Sequence, residues 1–121
     1  MSQSTSQAII FYKEVATKRT LWTIRDSGSF PAPKNSEGER VQPFWSSLSR
    51  VQKIIETVPA YAGFEPFDIS WSDFTARWVP GLEKDRVLVG VNWSGYRATG
   101  YDIAASKVKE YIESYIHITK T

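Results

Sequence analysis

Residues 86–93, Arg-Val-Leu-Val-Gly-Val-Asn-Trp, constrain this chain more than any other segment. Their β-branched and aromatic content marks a strand. Both alternating rows are largely apolar: Val87, Val89, Val91 and Trp93 on one side, Leu88, Gly90 and Asn92 on the other. A strand with no water-facing row needs cover on both faces and neighbours on both edges, so it belongs inside a sheet. The chain has the material for this. At 121 residues and 13.8 kDa, a single domain buries about two-thirds of its extended surface.

The rest of the sequence supplies the covering elements. Ser6 caps a helix carrying Ala8, Phe11, Tyr12 and Val15, which fades near Lys18. Residues 20–26 read as a strand, with Trp22 and Ile24 on one face and Leu21, Thr23 and Arg25 on the other. Residues 30–33 return as a short, proline-limited strand, and residues 41–45 form another, in which Pro43 marks an edge or a strand start. Ser46 or Ser47 caps a helix with Leu48, Val51, Ile54 and Ile55 on one face, closed by Pro59. In residues 64–70, Pro66 lacks an N–H and places that strand at or near an edge. Ser70 or Ser72 caps a short helix through Phe74, Trp78 and Val79, stopped by Pro80-Gly81, after which Glu83-Lys84-Asp85 reads as a solvated turn. Asp102 caps a last helix bearing Ile103, Val108, Tyr111, Ile112 and Tyr115. The expected fold class is α+β: a mainly antiparallel or mixed sheet of four to five strands packed by about four helices. One domain over 1–121 is expected, with 1–6 flexible and 117–121 a fraying tail. Trp45-Ser46-Ser47-Leu48-Ser49 and Trp71-Ser72-Asp73-Phe74-Thr75 echo each other at two strand-to-helix handovers, which either shared capping chemistry or a duplication explains.

Several chemistries lack their residues. With no cysteine there is no disulfide framework, thiol nucleophile or cysteine-ligated metal. The single histidine, His117, lies near the C-terminus and reads as solvated. There is no Gly-x-Ser-x-Gly elbow or Walker loop, and Gly90, Gly95 and Gly100 do not match a phosphate-binding glycine pattern. Glu65 and Asp68 point to opposite faces of their strand, while Asp73 suits a first helical turn. Net charge is +2 and neither half carries a block of like charge, so no nucleic-acid or anionic-lipid funnel is visible. No apolar run is long enough to span a membrane, and residues 1–7 lack the features of a secretory signal; a cytoplasmic location is expected. Neither a cofactor nor a metal is implied.

Aromatic residues are 14% of the chain, more than a small core absorbs easily, and rings dominate partner-binding hot spots. The reading is therefore a non-catalytic binding or protein-interaction module, with a protein or a small polar ligand as partner. The candidate site is the end of the central strand and its loop. Gly90 leaves space beside Asn92: either a helix fills it and Asn92 ties down the following loop, or it is a ligand cleft in which Asn92 supplies orientation, Tyr96 and Tyr101 supply contact area, and Arg97 recognises an anionic or carbonyl group. The alternatives are a small enzyme using Asp68 or Asp73, and a weak nucleic-acid module using Arg77-Trp78, Arg86 and Tyr96-Arg97.

The run from Trp78-Val79-Pro80-Gly81-Leu82 through Val89-Gly90-Val91-Asn92-Trp93, with Leu21-Trp22-Thr23-Ile24 and Pro43-Phe44-Trp45-Ser46, resembles a bacterial family, domain of unknown function 2750. The resemblance spans about Lys18 to Ile116. It implies a small bacterial cytoplasmic α+β protein and brings no activity, cofactor or catalytic residue.

Overall fold

The computed structural model describes residues 3–95 and 98–120. Along the chain come α1 (Gln3–Lys18), β1 (Thr20–Arg25), β2 (Val41–Phe44), α2 (Leu48–Thr57), a 3-10 turn (Pro59–Tyr61) and β3 (Glu65–Ser70). There follow α3 (Trp71–Asp73, then a π turn Phe74–Trp78, then Val79–Asp85), β4 (Leu88–Ser94), β5 (Thr99–Ile103) and α4 (Ala105–Lys120). The fold is α+β.

The doubly apolar strand is interior, as its sequence requires: β4 runs parallel to β2 on one side and antiparallel to β5 on the other. A second, two-stranded sheet pairs β1 with β3 antiparallel, Pro66 standing opposite Ile24. Among the described residues β3 has no second neighbour, so the strand with the missing N–H is an edge. Among the described residues the two sheets meet at a single bridge, where Trp22 and Trp45 exchange N–H···O bonds of 2.8 and 2.7 Å. Pro43 explains why the ladder does not continue, since it has no N–H to offer β1. A side chain makes the next link instead: the buried Thr23 hydroxyl donates to the Pro43 carbonyl at 2.8 Å.

Helices cover the joined sheets unequally. On one face α1, α3 and α4 bring Phe11, Val15, Phe74, Leu82, Val108 and Ile112 against Leu21, Phe44, Val89 and Val91. On the other face α2 and the 3-10 turn place Val51, Ile54 and Tyr61 against Ile24, Val41 and Trp45. Three helices stand against one, and the lightly covered face is where a cleft opens.

Several local expectations are corrected. Residues 30–33 do not form a strand; after the Asp26–Ser29 bridge only the Pro33 carbonyl joins β2, accepting from Val41 N–H. α1 begins at Gln3, ahead of Ser6, because its first turns have tertiary partners on Gln7 that local reading cannot supply. α3 does not stop at Pro80-Gly81. The wider π turn, in which Val79 N–H reaches the Phe74 carbonyl, absorbs the proline and lets the helix continue to Asp85, with Arg86 closing it at φ +57°. Glu83 is thus helical, and its carboxylate accepts the Ser106 N–H at 2.7 Å, capping α4 from another helix. Asp102, the expected cap, lies within β5. The tryptophan echo dissolves in its capping register: Ser47 caps two residues after Trp45, whereas Ser70 caps one residue before Trp71.

The Thr23–Pro43 link is testable. Thr23→Val keeps the shape but leaves a buried carbonyl without its donor, so urea unfolding should show a loss of about 1–3 kcal/mol.

Candidate functional site

β4 carries an irregularity that rearranges everything near its end. Val91 pairs with Tyr101 and Ser94 with Thr99, so one more residue is used on β4 than on β5. Asn92 takes up the difference at φ +48°, in the left-handed region that asparagine tolerates better than most residues. The bulge undoes the simple alternation. Asn92 turns to the α1 face instead of joining the Leu88–Gly90 row, and Trp93 swings onto that row. Gly90 accordingly leaves no vacancy, for the Trp93 indole fills the space; a Cβ at Gly90 would overlap that ring. A Cβ at Gly100 would lie 2.9 Å from Trp93 Cδ1. Trp93 Nε1 donates to Asp102 Oδ1 at 2.9 Å, and Asp102 stands opposite Gly90 across the ladder. Two glycines and one carboxylate therefore form the bed on which a single indole lies.

The Asn92 amide ties three elements together. Its Oδ1 accepts the Ser46 backbone N–H at 3.0 Å, and its Nδ2 donates to Ser46 Oγ at 3.0 Å and to the Gln7 carbonyl at 3.3 Å. The Ser46 hydroxyl has one proton, which it gives to the Glu14 carboxylate. Glu14 also accepts from Arg50 Nε at 3.2 Å, and Arg50 Nη1 donates to Gln7 Oε1 at 3.0 Å. Trp45 adds a further tie, its indole N–H donating to the Trp93 carbonyl at 2.8 Å. Asn92 is 2% exposed and its amide is fully employed in joining α1, the β2–α2 handover and β4.

Against this wall opens a cleft of about 630 Å³ at the carboxyl end of the parallel pair β2 and β4. Trp45 and Trp93 line it, and α2 contributes Arg50, Lys53, Ile54 and Thr57. Gln7, Asn92, Ser94, Gly95, Thr99 and Gly100 complete it, and among the described residues no acidic one is in the lining. Both indole N–H groups are already bonded; Trp45 is 0% exposed and sits behind the wall, so only Trp93, 7% exposed, offers a ligand ring carbon. Arg50 is neutralised by Glu14, whereas the Lys53 ammonium has no carboxylate within 4.0 Å among the described residues.

Of the residues singled out from sequence, Asn92 lies in the cleft wall. Tyr101, exposed on β5 opposite Val91, does not join it; it stands on the α1 side, close enough to Tyr12 to help hold the Tyr12 phenol well above its ordinary pKa. Burial is the larger cause of that rise. Tyr96 and Arg97 lie outside the described residues. Sequence reading missed Lys53, Arg50, Trp45 and Thr57. The available signal was Arg50, Lys53 and Thr57 at helical spacing on one side of α2.

Two measurements test this framework. Gly90→Ala forces Trp93 off its bed and Asn92→Ala strands buried donors and acceptors, so each should lower stability by about 1–3 kcal/mol in chemical denaturation. Asp102 gives a pH signature. Burial raises its pKa, Glu39 adds to the rise, and the bonds from Trp93 and Asn35 oppose it. A carboxyl whose pKa is raised by folding carries no penalty below the ordinary carboxylate range, and the full penalty once pH has risen through its folded-state pKa. Raising pH through that window should cost wild type stability that Asp102→Asn retains, as read from melting curves across the acidic range.

Comparison with curated proteins gives no match. A family model described as "Protein of unknown function (DUF2750)" matches residues 9–112, which include the bulged strand, the paired indoles and the Asn92 network apart from Gln7. The chain belongs to this family, DUF2750.

Proposed function

We propose that the protein is a binding module whose α2–β4 cleft receives a small organic anion with an apolar or aromatic body. The observation that carries the reading is the Lys53 ammonium, unpaired among the described residues, beside a cleft that reaches Trp93 and has no acidic residue among its described lining. The volume falls within the range of small-ligand sites, about 300–1,000 Å³. The cleft also lies outside the carboxyl ends of parallel strands, a position that ligands favour in open sheets. An anionic group would meet the Lys53 ammonium, while the body of the ligand would lie against the part of Trp93 that the cleft reaches. The carboxylates considered for acid–base chemistry, Asp68 and Asp73, are exposed and lie outside the cleft lining, which favours binding over catalysis. The family resemblance and the absence of cysteine support a bacterial cytoplasmic setting.

Titration with indole-3-acetate, followed by tryptophan-region and α2 amide shifts in NMR, tests the reading. Saturable shifts around Lys53 and Trp93 are expected, with affinity falling about tenfold or more in Lys53→Glu. Shifts that ignore this substitution, or their complete absence, would reject the anion site.

A further inference from the structure

A second concavity, of about 370 Å³, lies on the opposite face of the sheet, between α3 and the start of β2. Its walls carry Arg40 and Arg77, and its floor includes Trp78, Phe30 and Leu82. Neither guanidinium has a carboxylate within 4.0 Å or a hydrogen-bond partner among the described residues, although Asp85 is in the same lining. The aromatic floor is rigid. Phe30 meets Trp78 edge to face at 5.0 Å between centroids, and Trp78 meets the buried Phe44 at 5.9 Å.

Gly81 is the independent observation. It sits inside the α segment of α3, where glycine costs about 1 kcal/mol relative to alanine. Its φ does not require glycine, and a Cβ there would meet nothing within 4 Å. Packing within the chain therefore gives no reason for the missing side chain. Gly81 lines the pocket, and with Arg77 and Asp85 it forms an i, i+4, i+8 stripe along the helix. The bare backbone at its centre keeps the concavity open.

We propose that this pocket is a second ligand site, for a small planar monocarboxylate. The carboxylate is held by the guanidinium groups of Arg77 and Arg40, and the ring lies against Trp78 over Gly81. Arginine's planar fork suits a carboxylate, and an aromatic floor suits a flat body. Asp85 narrows the class. It lies about two turns along the helix from Arg77, so a ligand with extended negative charge, such as a polyphosphate, would meet a like charge at the far end.

The test is an NMR amide titration of the full chain with phenylacetate, with inorganic pyrophosphate as the comparison probe. Phenylacetate should produce saturable shifts at Arg77, Trp78, Gly81 and Leu82, and pyrophosphate should not. Arg77→Glu, an exposed change, should weaken phenylacetate about tenfold or more. Gly81→Leu should abolish these shifts with a melting temperature no lower than wild type, since leucine favours helix and fills only open space. Lys53→Glu should leave them unchanged, which separates this site from the α2–β4 cleft. Absence of saturable shifts in wild type, their persistence in both Arg77→Glu and Gly81→Leu, or equal response to pyrophosphate would overturn the proposal. If Gly81→Leu fails to fold, Arg77→Glu alone decides.

Discussion

At Asn92 the central strand takes one left-handed step, and side chains beyond it exchange faces. Before the step, valines face α1 and α4 while Leu88 and Gly90 face α2. After it, a polar amide faces α1 and a tryptophan lies on the α2 side. The exchange makes a polar knot on one side of the sheet and an indole floor on the other. Neither could exist alone: the knot holds the bulge in place, and the bulge throws Trp93 across Gly90 and Gly100. Trp45 closes the arrangement by bonding the Trp93 carbonyl, joining the ends of both parallel strands. The cleft has a wall and a floor because one residue departs from strand geometry.

Much of the scaffold was legible because it rests on local regularities. The paired apolar rows of residues 86–93 require an interior strand, Pro66 requires an edge, and the Ser47 and Ser70 caps follow from hydroxyl chemistry at helix starts. What stayed hidden depends on partners distant in sequence. Ser6 reads as a cap until Gln7 is seen to be held by Arg50 and Asn92. Glu83 reads as solvated until Ser106 arrives beside it. Pro80 reads as a stop because the π turn that accommodates it has no simple sequence mark.

The candidate site was less legible than the fold. Asn92 was identified as unusual, yet strict alternation assigned it to the wrong face, since a bulge breaks period-two logic without changing composition. Gly90 was understood as space, correctly, but its occupant is the ring three residues on. Lys53 was passed over because a lone lysine on an amphipathic helix looks like solubility. Its meaning depends on Glu14 neutralising Arg50 and leaving Lys53 aside, a division of charge fixed by a contact between α1 and α2.

The Asn92 knot also bears on the order in which the chain can be assembled. Its bond to Gln7 spans 85 residues, and α1 packs against α4, later still. During synthesis from the N-terminus, α1 emerges with Phe11 and Val15 facing outward and no surface yet made to receive them. The β1–β3 pair can form once residue 70 is free, but α1 cannot be docked until β4 has left the ribosome and its bulge has set. A nascent chain therefore holds Phe11 and Val15 without their β4 and α4 partners until those elements have been made. That interval is when a holding chaperone would find the most to bind.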